Sequence, residues 1–320
     1  MKALVNRPLS WLVDGTMCNM MHAIQWRRRA DACSVDALER YLTEWGGQSR
    51  EQYYRMPPAQ RPSLKNGLIE WDSPRSSGHP ENDRVRVSFF PARDKNAPTV
   101  FLLHALMSAS DIGYRRLAAW FNSNGWSVAF PHLPYHYSRT PRRTWNGELA
   151  ITADLVRNAE GIRQGVIELR QLMALLRTRG TREFAIVGTS YGGWTGALLS
   201  FLEADFRFVA LVQPVVNMDK AIWESPGSAM MRRELRIRGH SRGNTARFDH
   251  LISPLHGVPL CDSSSILLTG GLHDRISPLE DLTLLQSRWP GSSLLQVPQG
   301  HFGYAALRET MKQVESRIVG

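Results

Sequence analysis

From residue 83 to the C-terminus, short apolar runs alternate with longer helical stretches, and this rhythm limits the folds open to the chain. The runs are TVFLLHAL (99–106), WSVAFPHLP (126–134), FAIVGTS (184–190), FVALVQPVV (208–216) and SILLTGG (265–271). Each is short and continuous, the pattern of a strand covered on both faces. Helical patterns occupy 112–125, 155–180 and 193–204, and a last strand, SLLQVP (293–298), precedes a final helix over 304–319. DRVRVSFFPA (83–92) alternates polar and apolar instead, marking a strand with one exposed face. Strand and helix in turn over this length predict an α/β fold class, with a mostly parallel central sheet flanked by helices.

Two segments break the rhythm. Residues 1–66 read as a helical N-terminal extension. In SVDALERYLTEW (34–45), Ser34 is placed as an N-cap, and Ala37, Leu38, Tyr41, Leu42 and Trp45 fall on one helix face. The prolines of MPPAQRPS (56–63) then predict a linker, with the main domain spanning 67–320. Residues 217–259 put more chain between two strands than a crossover helix needs. They read as a helical, basic, cap-like insertion at the carboxyl edge of the sheet; a crossover helix with a surface loop is the alternative.

Composition excludes several classes. The three cysteines, Cys18, Cys33 and Cys261, form no CxxC pair, so neither a zinc knot nor a disulfide framework is expected, and a reducing cytoplasm fits best. MKALVNRPLSWLVDG lacks a continuous apolar core and reads as no signal peptide, and the longest apolar stretch, 99–107, is too short to span a bilayer. The net charge of +10 comes from cations spread along the chain, densest at Trp26-Arg27-Arg28-Arg29 and between Arg232 and Arg247. Neither cluster sits in a nucleic-acid-binding motif, so no nucleic-acid partner is expected. Peripheral membrane contact through the arginines and the N-terminal tryptophans is the less favoured alternative.

Gly188-Thr189-Ser190-Tyr191-Gly192 matches GxSxG between a buried run and a helical one. The pattern alone is weak; its place at a strand-to-helix turn is what a nucleophile elbow requires. Such a turn lifts a serine hydroxyl clear of the sheet, and side chains two places before and after it would collide. A hydroxyl needs a base. His301, in PQGHFGY, follows the last strand on the same sheet edge. Asp274, in TGGLHDRISP, follows the strand before it and suits the orienting carboxylate; Asp262 comes too early, and Glu280 and Asp281 open a helix. The order Ser190, Asp274, His301 is the one expected of this elbow. The Tyr191 N–H is one oxyanion donor, and the loop LLHALMSASD (102–111) offers Leu106 or Met107 as the second. His104 is expected to brace that loop. His132, His136 and Arg139 follow a strand end, where they either touch substrate or tie the loop internally. Trp223, with Met230 and Met231, either lines an acyl pocket or forms the insertion's own core.

With HALM (104–107), GTSYG (188–192), GGLHDRISP (270–278) and GHFG (300–303) in hand, the sequence from about residue 83 onward resembles the alpha/beta-hydrolase superfamily. LPYHYSRTP (133–141), followed by a long helix, is similar to the abhydrolase domain-containing protein 18 group. The resemblance implies a sheet of about eight strands, no cofactor and no metal. It implies a small acyl substrate cleaved through a serine ester: a carboxylesterase or lipase-like hydrolase, with peptidase, thioesterase and non-catalytic binding protein as alternatives. His-Ala stands where the common pattern has His-Gly.

Overall fold

A computed structural model describes residues 7–319. Its centre is a nine-stranded sheet: β1 (Gln60–Lys65), β2 (Leu68–Asp72), β3 (Arg84–Phe90), β4 (Thr99–Leu103), β5 (Ser127–Pro131), β6 (Phe184–Thr189), β7 (Phe206–Val212), β8 (Ile266–Gly271) and β9 (Ser293–Val297). The order is β1-β2-β3-β5-β4-β6-β7-β8-β9. The pairs from β5 to β9 are parallel; β1–β2, β2–β3 and β3–β5 are antiparallel. Chain order reverses between β4 and β6, so a crevice opens at their carboxyl ends.

Alternation along the central strands feeds two apolar layers. Val100 and Leu102 of β4 and Ala185 and Val187 of β6 pack with Ala118 and Phe121 of α4 (Ile112–Ser123) and Val314 and Ile318 of α12 (Ala305–Val319). Phe101, Leu103, Phe184 and Ile186 point the other way, into the layer built by α5 (Leu155–Thr178), α6 (Tyr191–Ser200) and α11 (Leu279–Arg288).

The expected linker is partly strand. β1 begins at Gln60, and the two-residue turn Asn66-Gly67, both at positive φ, joins it to β2. Pro62 is accommodated because β1 is the edge strand, with a register shift between Gln60 and Ser63. This hairpin belongs to the sheet rather than to a connector.

The N-terminal extension supplies α1 (Arg7–Arg27), α2 (Val35–Trp45) and α3 (Arg50–Tyr53). Ser34 caps α2 by accepting from the Ala37 N–H. α2 and α3 buttress α5: Tyr41 donates to Glu160 at 2.8 Å, and Arg163 donates to the Tyr53 carbonyl at 2.6 Å. α1 goes elsewhere. It packs on the 217–259 insertion, which folds into α7 (Met218–Trp223), α8 (Ala229–Ile237), α9 (Arg242–Thr245) and α10 (Asp249–Ile252). His22 and Gln25 of α1 donate to the carbonyls of Pro226 and Gly227 at 2.8 and 3.2 Å. Among the described residues, no helix is long and apolar enough to cross a membrane.

Candidate active site

Ser190 sits at the turn from β6 into α6 with φ 51° and ψ −110°, a backbone conformation unfavourable for a residue with a Cβ. The flanking glycines explain how the turn closes. A Cβ on Gly188 would lie 2.7 Å from the Gly192 carbonyl oxygen, and one on Gly192 would overlap the Leu103 carbonyl of β4. The elbow therefore depends on two hydrogens where any other residue has carbon.

The structure brings Ser190, His301 and Asp274 together from the ends of three parallel strands. Ser190 Oγ lies 2.9 Å from His301 Nε2, and His301 Nδ1 lies 2.8 Å from Asp274 Oδ2. The carboxylate is itself held: Oδ1 accepts from the Ile276 and Ser277 N–H groups at 2.8 and 2.9 Å, and Oδ2 accepts from Gln213 Nε2 at 2.7 Å. An ionised Asp274 requires the His301 proton on Nδ1, which leaves Nε2 bare toward the hydroxyl. Burial pushes the His301 pKa down, but the Asp274 carboxylate, with a smaller contribution from Asp14, outweighs it, and the net shift is upward.

The loop expected to supply the second oxyanion donor is held by a second histidine. Burial, with Arg139 nearby, lowers the His136 pKa to about 4, so its ring is neutral. Its Nδ1 donates to the Pro134 carbonyl at 2.8 Å, so its Nε2 accepts the Met107 N–H at 3.2 Å. Met107, at φ 54°, thus has its donor engaged, while among the described residues neither the Leu106 nor the Tyr191 N–H has an acceptor. His104 is fully buried and braces the same loop, bonding the Ala105 carbonyl through Nδ1 and accepting the Leu133 N–H at Nε2.

The other sequence candidates have internal partners. Arg139, 1% exposed, makes a two-pronged ion pair with Glu168 of α5 (2.6 and 2.9 Å) and also donates to the Asn82 and His132 carbonyls. The structure places both His136 and Arg139 in the interior, His136 against the 102–111 loop and Arg139 against α5, rather than on the surface. His132 bonds Ser138 Oγ at 2.7 Å, and burial lowers its pKa to about 4. The Trp223 indole donates to Thr245 Oγ1 at 2.7 Å, within the insertion.

Three site residues escaped sequence reading. Gln213, at φ 47° just past β7, bridges Asp274 and the Gly300 carbonyl, and Gln299 donates to its Oε1 at 3.0 Å. The signal for Gln213 was a polar residue inside the apolar run FVALVQPVV. The third is Asp14 of α1, whose carboxylate accepts the His301 and Phe302 N–H groups at 2.9 and 3.1 Å. Nothing in its local sequence marks it.

No family model matches the sequence, and no curated protein matches it. Solved structures do. An acetyl xylan esterase from Paenibacillus sp. R4 superposes with a TM-score of 0.60 at 14% identity, covering 83% of this chain and 91% of that one. Acetyl xylan esterase 1 from Thermoanaerobacterium sp. JW/SL YS485 gives 0.56 at 14% identity, covering 88% and 98%. The alpha/beta hydrolase GrgF from Penicillium sp. sh18 gives 0.53 at 12% identity, covering 80% and 98%. The protein has the alpha/beta-hydrolase fold, with one strand more than the expected eight.

Proposed function

We propose that the protein is a serine hydrolase that cleaves carboxylic esters through an acyl-enzyme. The observation that carries this reading is the continuous chain Ser190 Oγ–His301 Nε2–His301 Nδ1–Asp274 Oδ2, with contacts of 2.9 and 2.8 Å, at the carboxyl edge of the sheet. Ser190 Oγ attacks the ester carbonyl carbon as its proton passes to His301 Nε2. The resulting oxyanion is received by the Tyr191 and Leu106 N–H groups, Met107 being engaged with His136. Collapse breaks the C–O bond to the alcohol, which takes the proton from Nε2 and leaves an ester on Ser190. Water then gives its proton to Nε2 and attacks that ester, and the acid departs as the proton returns to Ser190. Asp274 holds the ring tautomer and stabilises the imidazolium throughout.

The fold is shared with acetyl xylan esterases, which supports ester chemistry; the same constellation also serves amide and thioester cleavage. A fluorophosphonate probe should label the wild type and fail to label Ser190→Ala. p-Nitrophenyl acyl esters, acyl-CoA thioesters and aminoacyl amides, run on both proteins, then separate esterase from thioesterase and peptidase. A wild type that neither labels nor turns over any of the three overturns the hydrolase reading in favour of a binding protein.

A further inference from the structure

Helix α1 is built the wrong way round for a helix that packs by hydrophobic burial. Its inward face is mostly polar, carrying Ser10, Asp14, Cys18 and Gln25 beside a single isoleucine, Ile24, while Leu9, Leu12, Val13 and Met20 are exposed. Polar contacts hold it in place. Gln25 and His22 seat it on the insertion, and Asp14, 2% exposed, reaches the loop that carries His301.

Burying a carboxylate is unfavourable unless its oxygens are satisfied. Here each oxygen takes one backbone N–H, from His301 and from Phe302. The loop is shaped to receive it: a Cβ on Gly300 would lie 2.6 Å from Asp14 Oδ2. On its other side the same loop is held by Gln213 at the Gly300 carbonyl and by the Gln299 Oε1 that accepts the Ala306 N–H. The His301 backbone is thereby gripped from the sheet side and from α1, and its ring is gripped by Asp274.

We propose that Asp14 is a positioning residue for the catalytic base, so that the N-terminal helix is part of the active site. This rests on the serine-hydrolase reading above. Asp14 fixes the main chain from which the imidazole projects, and so the Nε2–Oγ distance. Its negative charge also adds to that of Asp274 in favouring the imidazolium. The charged and titratable groups around this pair are Asp274 and Arg275 on the β8 loop and Cys18, one turn along α1 from Asp14.

The test compares Asp14→Asn and Asp14→Ala with wild type. The readouts are the fluorophosphonate labelling rate, kcat and KM on an ester that the wild type cleaves, and the pH dependence of kcat/KM. The isosteric asparagine turns an NH2 group against one of the two N–H donors, and alanine removes both acceptors. Expected results are a loss in kcat of about 10- to 100-fold with KM little changed and an acid limb of kcat/KM displaced to lower pH. The limb's position does not depend on the fraction of folded enzyme, so it reads the role even if Asp14→Ala folds poorly. Asp14→Asn with wild-type kcat and an unmoved limb, in a wild type that hydrolyses, overturns the positioning role and leaves the hydrolase reading intact. A wild type that neither labels nor hydrolyses removes both.

Discussion

In the proposed mechanism the chemistry turns on His301, and its surroundings fix a pH dependence. Its pKa is raised above the usual 6.5. A base works only when unprotonated, so kcat/KM should fall as pH drops through that raised value, with an acid limb above pH 6.5. A limb well below 6.5 would contradict the Asp274 contact. Asp274→Asn removes the acceptor that holds the Nδ1 tautomer, and kcat should fall by about 10³–10⁴. Thermal unfolding of that variant shows whether the loss is chemical. That Ser190, Asp274 and His301 would converge was legible in the sequence because each follows a strand end at a turn or loop punctuated by glycine or proline. Gln213 and Asp14 were not legible as site residues. Their work is hydrogen bonding across 61 and 287 positions of chain, and no local pattern encodes that.

At the scale of elements, the strands of the parallel core were read within a few residues because burial on both faces leaves continuous apolar runs. The β1–β2 hairpin was not, although Asn66-Gly67 is a strong turn signal. Pro57 and Pro58 just before it and Pro62 within it pointed to a linker, yet an edge strand tolerates a residue without an N–H. The insertion was recognised by length alone, and its internal chemistry gives a further expectation. Asp249 of α10 is buried, and its Oδ1 has no hydrogen-bond partner. Burial, with Asp219 nearby, raises its pKa to about 7. The folded state therefore keeps a proton that the unfolded chain releases above about pH 4. The contribution of this group to stability is fullest below that pH and is lost as pH rises through 7. Asp249→Asn should stabilise the protein by about 1–3 kcal/mol at pH 8 and change little near pH 4. Melting curves across that range check it; a gap that does not widen with pH rules out the ionisation account.

On the scale of the whole molecule, the sheet alone does not complete the site. α2 and α3 brace α5, while α1 joins the insertion to the His301 loop through Gln25 and Asp14. The contact between Asp14 and His301 ties nearly the first described residues to nearly the last, with 287 positions between them. Such a contact adds little to the early, local stages of folding and forms after the sheet that brings its partners together. In refolding from denaturant, recovery of fluorophosphonate labelling should lag behind recovery of far-UV circular dichroism. Simultaneous recovery would place the α1 contact early instead. The same span has a meaning during synthesis. A nascent chain that has emerged through the elbow still lacks the loop that the Asp14 anchor receives, because His301 lies 111 positions beyond Ser190. A product cut before His301 would carry the proposed nucleophile without its proposed base, so the order of the chain itself delays assembly of the triad until the His301 loop has been made.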